Sequence, residues 1–171
     1  MKREDIIDLF DKPPVGIELG VAEGMFSHLV LSRKEVQHWY SVDMWAGDRG
    51  HDVNQYKKAV SKLLPYKEKN TVLKLRFDEA LSLFPDEFFD FIYVDGYAHT
   101  GQDGGKTFDD WWPKLKSGGI FAGDDYDARW QPTVTAVDNF IKKNNLELHI
   151  FNFDEERGSW SQYPSWYTYK G

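Results

Sequence analysis

Residues 15–24 have the sequence VGIELGVAEG, and this stretch decides the fold of the chain. The apolar run from Val15 to Leu19 follows two prolines and predicts a short buried strand. Gly20 to Gly24 predicts a tight turn, and apolar residues at helical spacing from Met25 to Lys34 predict a helix directly after it. A strand, a glycine-containing turn and a helix in this order indicate the first unit of an α/β sheet.

The same alternation of strand and helix continues along the chain. Two closing strands, expected at 146–153 and 165–169, have no helix between them. The sequence therefore predicts a single domain over residues 1–171 with a doubly wound, Rossmann-like α/β fold, a mostly parallel sheet and an antiparallel C-terminal hairpin at one edge. The remaining strands are expected at 38–42, 71–75, 88–94 and 118–123, and the remaining helices at 53–64, 78–84, 107–115 and 133–143.

The composition excludes several classes of protein. The chain of 171 residues has no cysteine, which excludes disulfides, thiolate metal sites and cysteine nucleophiles. A formal net charge of −7, with dispersed basic residues, disfavours nucleic-acid binding, because phosphate neutralisation supplies much of that affinity. No apolar run approaches the length that crosses a membrane, and the N-terminus has no apolar signal core. We therefore expect a cytoplasmic protein with no nucleic-acid or membrane partner.

Acidic side chains stand at or beside the ends of the predicted strands. Glu18 lies in the first strand, Asp43 ends the second, Asp95 follows the fourth, and Asp124 and Asp125 follow the fifth. In a parallel sheet, ligands bind beyond the carboxyl ends of the strands, where the strand order reverses. Carboxylates crowded at that edge repel one another unless they hold hydrogen-bond donors, positive charge or a metal ion. The sequence therefore predicts a binding site at this edge.

The turn after the first strand separates two classes of cofactor. Ala22 occupies the position of the second glycine in the dinucleotide-binding pattern, and Glu23 would repel a phosphate, so an NAD-dependent oxidoreductase is disfavoured. S-adenosylmethionine has no phosphate, but it has an ammonium group, a carboxylate and a ribose diol. Glu18 is suited to orient its methionyl end beside Gly20, and Asp43 is suited to accept its ribose hydroxyls.

Each of these positions also has a purely structural interpretation. Asp78, which follows the third strand, would meet the adenine of the cofactor or would cap the helix beginning beside it. Glu18 would otherwise cap a helix or form a salt bridge, and Asp43 would begin an Asx turn. Gly20 and Gly24 would otherwise serve the tight turn alone. The order of acid, glycine turn, helix, strand and acid favours the cofactor site.

Four segments resemble one known family. Residues 95–99 (DGYAH), 109–126 (DDWWPKLKSGGIFAGDDY), 41–45 (SVDMW) and 133–140 (TVTAVDNF) are similar to class I S-adenosylmethionine-dependent methyltransferases of the Methyltransf_24 type. The resemblance extends from about residue 15 to residue 145 and implies a methyltransferase with S-adenosylmethionine as its cofactor. The cofactor contacts would come from Glu18, Gly20, Gly24, Asp43, Met44, Asp78 and Asp95.

The resemblance also implies a reaction and a second ligand. The strand ends are similar to those of catechol-type and sugar O-methyltransferases, so we expect O-methylation of a small-molecule or sugar hydroxyl. Asp95, Asp124 and Asp125 are hard oxygen ligands that suit a magnesium ion, and His99 would take the acceptor proton, which makes Asp95 and His99 the predicted catalytic residues. Alternatively, Asp124 and Asp125 structure their loop. Two residues separate Gly96 from His99 where the family usually has one, so His99 would otherwise be a loop residue.

The aromatic residues of the predicted loops leave several possibilities open. Those at the site edge would line an acceptor pocket or cover the end of the sheet; they are Trp45, Tyr97, Tyr126 and Trp130. Trp160 and Trp166 would pack at the hairpin edge or form a subunit contact, which leaves a homo-oligomer open. The short chain also leaves open a different class of function, a non-catalytic module that binds S-adenosylmethionine or supports assembly.

Overall fold

The computed structural model describes residues 2–46, 51–151 and 162–171. Trp160 and the glycines of the predicted 47–50 loop lie outside the described residues. The strands are β1 (Val15–Leu19), β2 (His38–Asp43), β3 (Asn70–Lys74), β4 (Phe89–Val94), β5 (Leu115–Gly123), β6 (His149–Ile150) and β7 (Trp166–Tyr169). The helices are α1 (Met25–Arg33), α2 (Val53–Leu63), α3 (Phe77–Leu81), α4 (Gly101–Gly104), α5 (Lys106–Trp111) and α6 (Gln131–Asn144).

Within the described residues the strands form one seven-stranded sheet with the order β3-β2-β1-β4-β5-β7-β6. The neighbours from β3 to β5 pair in parallel, and β7 pairs antiparallel with both β5 and β6. This arrangement confirms the predicted doubly wound sheet with an antiparallel C-terminal edge. The strand order reverses between β1 and β4, and a crevice opens there beyond the carboxyl ends of the strands.

Alternate side chains of the central strands enter two separate cores, one on each face of the sheet. In β1, Ile17 and Leu19 enter the core covered by α3, α5 and α6, where Phe108 and Val137 are also buried. The opposite face is covered by α1 and α2, and Trp39 is fully buried there. Burial on both faces explains why the strands of this sheet are nearly continuous apolar runs in the sequence.

A 3-10 helix at Arg3–Leu9 precedes the first strand and was not predicted from the sequence, in which these residues are only a short amphipathic stretch. Ile6 and Ile7 are fully buried in the core on the α1 and α2 face. Each such side chain contributes about 1.5–3 kcal/mol relative to an exposed one. This burial holds the helix against the sheet and brings Arg3 beneath the carboxyl ends of β4 and β5.

Several predicted boundaries differ from the structure by a few residues. The helix expected at 107–115 ends at Trp111, a 3-10 turn covers Trp112–Lys114, and β5 already begins at Leu115. Pro113 lacks the N–H that an α-helix would need at that position, which explains the early end. The strand expected at 146–153 is limited, within the described residues, to His149–Ile150. In the part of the chain that the structure describes, no helix is both long enough and apolar enough to span a membrane.

Candidate functional site

A cavity of about 760 Å³ lies at the carboxyl ends of β1, β2 and β4. Its walls come from the glycine turn, the end of β2, the segment before α3 and the segments after β4 and β5. The residues that line it include Arg3, Glu18, Gly20, Val21, Ala22, Asp43, Met44, Arg76, Phe77, Asp95, Gly96, Tyr97, His99, Asp125 and Trp130. The cavity therefore brings together most of the predicted site residues.

Gly20 allows the ends of β1 and β4 to approach each other closely. It has a φ of +100°, and a Cβ at this position would lie 2.0 Å from the carbonyl oxygen of Asp95. The amide of Asp95 donates to the carbonyl of Leu19 at 2.8 Å, and the amide of Gly20 donates to that of Val42 at 2.9 Å. Gly24, with a φ of +80°, precedes the first residue of α1 and does not line the cavity. One predicted glycine thus shapes the cavity, and the other begins a helix.

Asp43 joins the end of β2 to the glycine turn. Its carboxylate accepts the backbone N–H groups of Val21 at 2.9 Å, Ala22 at 3.0 Å and Trp45 at 2.8 Å. The bond from Trp45 is the Asx-type contact that the sequence left as an alternative, but Asp43 also faces the cavity. Because two amides of the turn point to this carboxylate, they do not form a cradle for a pyrophosphate. This geometry agrees with the weak case for a dinucleotide.

Glu18 belongs to β1, and its side chain contacts the first turn of α1 as well as the cavity. Its carboxylate accepts both the backbone N–H and the hydroxyl of Ser27, in the first turn of α1. Burial raises the pKa of Glu18 to about 8, although the bonds from Ser27 act in the opposite direction. The helix-capping alternative and the position in the cavity are therefore both observed.

Asp95 and Asp124 are joined by the guanidinium of Arg3. The same nitrogen, Nη1, donates to Asp95 at 2.9 Å and to Asp124 at 2.6 Å. The hydroxyl of Ser165 also donates to Asp124, at 2.7 Å. The side chain of Asp95 is 23% exposed and faces the cavity, whereas that of Asp124 is 7% exposed and lies behind it. Burial and the nearby Asp124 raise the pKa of Asp95 to about 6.

The predicted magnesium ligands do not fit a magnesium ion in this arrangement. The guanidinium of Arg3 takes the position between Asp95 and Asp124 that a metal ion would need. Among the described residues, no group of three or more histidine, aspartate or glutamate side chains is arranged to hold a metal ion. Asp125 faces the cavity with a φ of +62°, and burial, followed by Asp95 and Asp124, raises its pKa to about 8.

Two further predicted site residues, His99 and Asp78, lie toward the outside. His99 belongs to a 3-10 turn at Ala98–Thr100, where its side chain is exposed at the cavity wall. Asp78 is 58% exposed, forms an ion pair with Arg76 at 2.7 Å and does not line the main cavity. It lines an adjoining cavity of about 420 Å³. The structure therefore does not bring Asp78 to the other predicted cofactor residues.

The aromatic side chains at this edge fall into two groups. Tyr97 and Trp130 line the cavity. Trp45 is buried, and its indole N–H donates to the carbonyl of Ala22 at 2.8 Å. The hydroxyl of Tyr126 donates to Asp138 at 2.7 Å, away from the cavity. Two of the four candidates thus reach the cavity.

Arg3, Arg76 and Phe77 line the cavity but were missed in the sequence. Arg76 and Phe77 directly precede the predicted Asp78, so this segment lines the main cavity through the two neighbouring side chains. Arg3 had no signal, because it lies far from β4 and β5 in the sequence and no pattern connects an isolated arginine to them.

The model of a methyltransferase domain family matches residues 17–126. The chain belongs to this family. The matched residues run from β1 to the segment after β5 and include most of the cavity wall. Family and fold together make the chain a class I S-adenosylmethionine-dependent methyltransferase domain, which confirms the resemblance. The match supports S-adenosylmethionine as the cofactor.

Solved structures share the fold at low sequence identity. An S-adenosylmethionine-dependent O-methyltransferase from Thermotoga maritima is 16% identical, with a TM-score of 0.69 over 98% of this chain and 62% of its own. Spermidine synthase from the same organism is 16% identical, with a TM-score of 0.72 over 98% and 59%. An rRNA methylase from Streptococcus thermophilus is 11% identical, with a TM-score of 0.70 over 98% and 93%.

The chain spans about three fifths of the first two of these proteins. No curated protein matches the sequence. At these identities the likeness to the solved structures shows the fold alone, and the three proteins differ in what they act on.

Proposed function

We propose that this methyltransferase domain, over residues 1–171, transfers the methyl group of S-adenosylmethionine to a hydroxyl of a small-molecule or sugar acceptor. The observation that carries the proposal is that one cavity of about 760 Å³ contains Glu18 and Asp43 on one side and Asp95 and Asp125 on the other. A volume of this size suits a cofactor with a small acceptor beside it.

The cofactor side of the cavity has the donors and acceptors that an adenosyl sulfonium needs. Asp43 lies at the end of β2, where a carboxylate oxygen can accept the ribose hydroxyls in addition to the amides of the turn. Glu18 and Gly20 lie where the methionyl end would pass.

The acceptor would lie against Asp95, Tyr97 and Trp130. S-adenosylmethionine supplies an electrophilic methyl group, so the protein mainly has to align the acceptor oxygen with it and receive a proton. The carboxylate of Asp95 faces the cavity and is the proposed proton acceptor, with the exposed His99 as the second candidate. As the new O–C bond forms, the S–C bond breaks, S-adenosylhomocysteine leaves, and the hydroxyl proton passes to the base.

The acceptor class and the location are taken from the sequence, whereas magnesium is left out. The net charge of −7 favours a small acceptor over RNA, although an rRNA methylase shares the fold. The cytoplasmic location remains a prediction from the sequence. Magnesium is not part of the proposal, because the three predicted ligands do not fit it.

The experiment that tests the proposal measures binding first and turnover second. Isothermal titration with S-adenosylhomocysteine and with NAD should show binding of the former only. A coupled assay for S-adenosylhomocysteine release should then identify turnover within a panel of phenolic, catecholic and sugar hydroxyl acceptors. NAD binding in place of S-adenosylhomocysteine would refute the cofactor, and tight S-adenosylhomocysteine binding without turnover on the panel would favour the non-catalytic module.

Asp43→Ala and Asp52→Ala are matched variants for the binding measurement. Asp52 accepts the amides of Asn54 and Gln55 at the start of α2 but does not line the cavity. We expect Asp43→Ala to weaken S-adenosylhomocysteine binding at least tenfold, equivalent to about 1.4 kcal/mol, and Asp52→Ala to leave it unchanged. Equal affinities in the two variants would contradict the role of Asp43.

A further inference from the structure

We propose that Arg3 is a positioning residue of the active site, and that its guanidinium, in place of a divalent metal ion, is the cation that holds Asp95 and Asp124. The turnover part of this proposal rests on the proposed function, whereas its metal-binding part does not. It predicts a methyltransferase that works without a divalent metal ion and depends on its own N-terminal 3-10 helix.

The contacts of Arg3 are those of a fixed internal cation. Its side chain is 3% exposed, and Nη1 donates to one oxygen of each carboxylate, at 2.9 Å and 2.6 Å. The guanidinium also lies 5.1 Å from the ring centre of Phe26 and 5.7 Å from that of Tyr93. Cation–π contacts of this kind stabilise a desolvated guanidinium. Among the described residues, two carboxylates and two aromatic rings therefore lie around this positive charge.

The position of Arg3 is determined by the rest of its helix as well as by the carboxylates. Ile6 and Ile7 are fully buried beneath it. On the outer side, Arg33 of α1 forms ion pairs with Asp5 at 2.7 Å and Asp8 at 2.6 Å. These contacts remain when Arg3 is replaced, so the helix has anchors that do not depend on the site.

A guanidinium and a magnesium ion compete for this position. Magnesium needs near-octahedral oxygen ligands at about 2.0–2.1 Å, and it would have to displace the arginine to reach both carboxylates. A permanent positive charge held between the two carboxylates also repels a second cation. In this site the arginine therefore satisfies the carboxylates and prevents metal binding.

The arginine also orients Asp95 relative to the cavity. Asp124 is held from behind by Ser165 at 2.7 Å, and Arg3 links it to Asp95, whose carboxylate is partly exposed to the cavity. Without the guanidinium, two neighbouring carboxylates would repel each other, and Asp95 would lose its fixed direction. Arg3 thus acts on the acceptor through Asp95.

The test compares Arg3→Gln, Arg3→Lys and the control Arg33→Gln. Arg3→Gln removes the charge and keeps hydrogen-bond donors. Arg33→Gln also removes one arginine charge, but from α1, where Arg33 pairs with Asp5 and Asp8 on the outer side of the 3-10 helix. Titration of each protein with Mg²⁺ alone, followed by calorimetry, measures metal binding without any turnover. We expect no Mg²⁺ binding up to millimolar concentration by the wild type and Arg33→Gln, and at least tenfold tighter binding by Arg3→Gln.

Turnover of the acceptor supplies the second measurement. We expect wild-type kcat to be unchanged by EDTA, and Arg3→Gln to lower kcat at least tenfold while changing the KM for S-adenosylmethionine less than threefold. Arg3→Lys should restore part of kcat, because a cation is again present. Thermal melting shows whether Arg3→Gln folds. If it does not fold, the activity of Arg3→Lys and the Mg²⁺ titration of the wild type test the proposal instead.

The outcomes separate this proposal from the proposed function. Sub-millimolar Mg²⁺ binding by the wild type, or a loss of its turnover in EDTA, would overturn the role of Arg3 as the site's cation. An Arg3→Gln variant with wild-type kcat would also overturn it. Failure of the chain to methylate any acceptor would refute the proposed function. The Mg²⁺ titrations would still test whether Arg3 takes the place of a metal ion between Asp95 and Asp124.

Discussion

Replacing Gly20 with alanine should destabilise the protein strongly and weaken cofactor binding. Gly20 has a φ of +100°, where an alanine costs about 1–3 kcal/mol of strain. The new Cβ would lie 2.0 Å from the carbonyl oxygen of Asp95 and 2.5 Å from its carbonyl carbon. Because both atoms are backbone, they cannot rotate away, and overpacking of this kind costs about 1–3 kcal/mol more. The expected loss of unfolding free energy is about 4 kcal/mol, the middle of the summed range.

Gly118→Ala is the matched control for this prediction. Gly118 also has a positive φ, of +77°, but a Cβ there would meet nothing within 4 Å. Its loss should be limited to the conformational penalty of about 1–2 kcal/mol. For a domain of this size, 4 kcal/mol corresponds to a fall in Tm of about 8–16 °C, and the control should fall by about a third as much.

Urea unfolding, thermal melting and S-adenosylhomocysteine titration measure these effects together. Gly20→Ala should also bind S-adenosylhomocysteine at least tenfold more weakly, because the ends of β1 and β4 must separate. Gly118→Ala should bind it normally. If both variants lose the same stability, the close approach to Asp95 does not determine the role of Gly20.

Three further variants test the surroundings of the cavity. Burial raises the pKa of Glu18 from 4.5 to about 8, so between these pH values Glu18 is ionised only in the unfolded chain. The free energy of unfolding of the wild type should therefore fall as the pH rises through this range, by up to about 1.4 kcal/mol per pH unit. Glu18→Gln should reduce that slope in urea unfolding at several pH values, and parallel profiles would contradict it. Trp130→Ala should raise the acceptor KM severalfold with unchanged S-adenosylhomocysteine affinity, because Trp130 lines the cavity on the side proposed for the acceptor. A change in S-adenosylhomocysteine affinity alone would place Trp130 beside the cofactor. Ser165→Ala removes a donor to buried Asp124 and should cost about 1–3 kcal/mol in thermal or urea unfolding, unlike the exposed Ser82→Ala control.

The local pattern of the chain was sufficient to predict the order of its elements. β1 was predicted at Val15–Leu19, the range at which it is found, and the helix after the glycine turn ends one residue before the predicted position. Apolar runs and helical periods report burial on the two faces of a sheet, which is a local property. Boundaries near Pro113 and in the C-terminal hairpin were less accurate, because neighbouring strands and turns decide where those elements end.

The site was predictable only as far as strand topology determines it. Glu18, Asp43 and Asp95 come together because parallel strands present their carboxyl ends at one edge. Side chains beyond the strand ends depend on how the following segments are placed, so Asp78, in the first turn of α3, lines only the adjoining cavity, whereas Arg76 and Phe77 line both cavities.

The sequence by itself determined the α/β class, the alternation of strands and helices along the chain and the edge at which the acids gather, because each of these follows from local periodicity and chain connectivity. Only the tertiary structure decided which charge balances those acids. Arg3 is 92 residues from Asp95 and 121 from Asp124, and its ion pairs form because a buried 3-10 helix folds beneath β4 and β5. An interaction between residues so far apart depends on packing that no local pattern records.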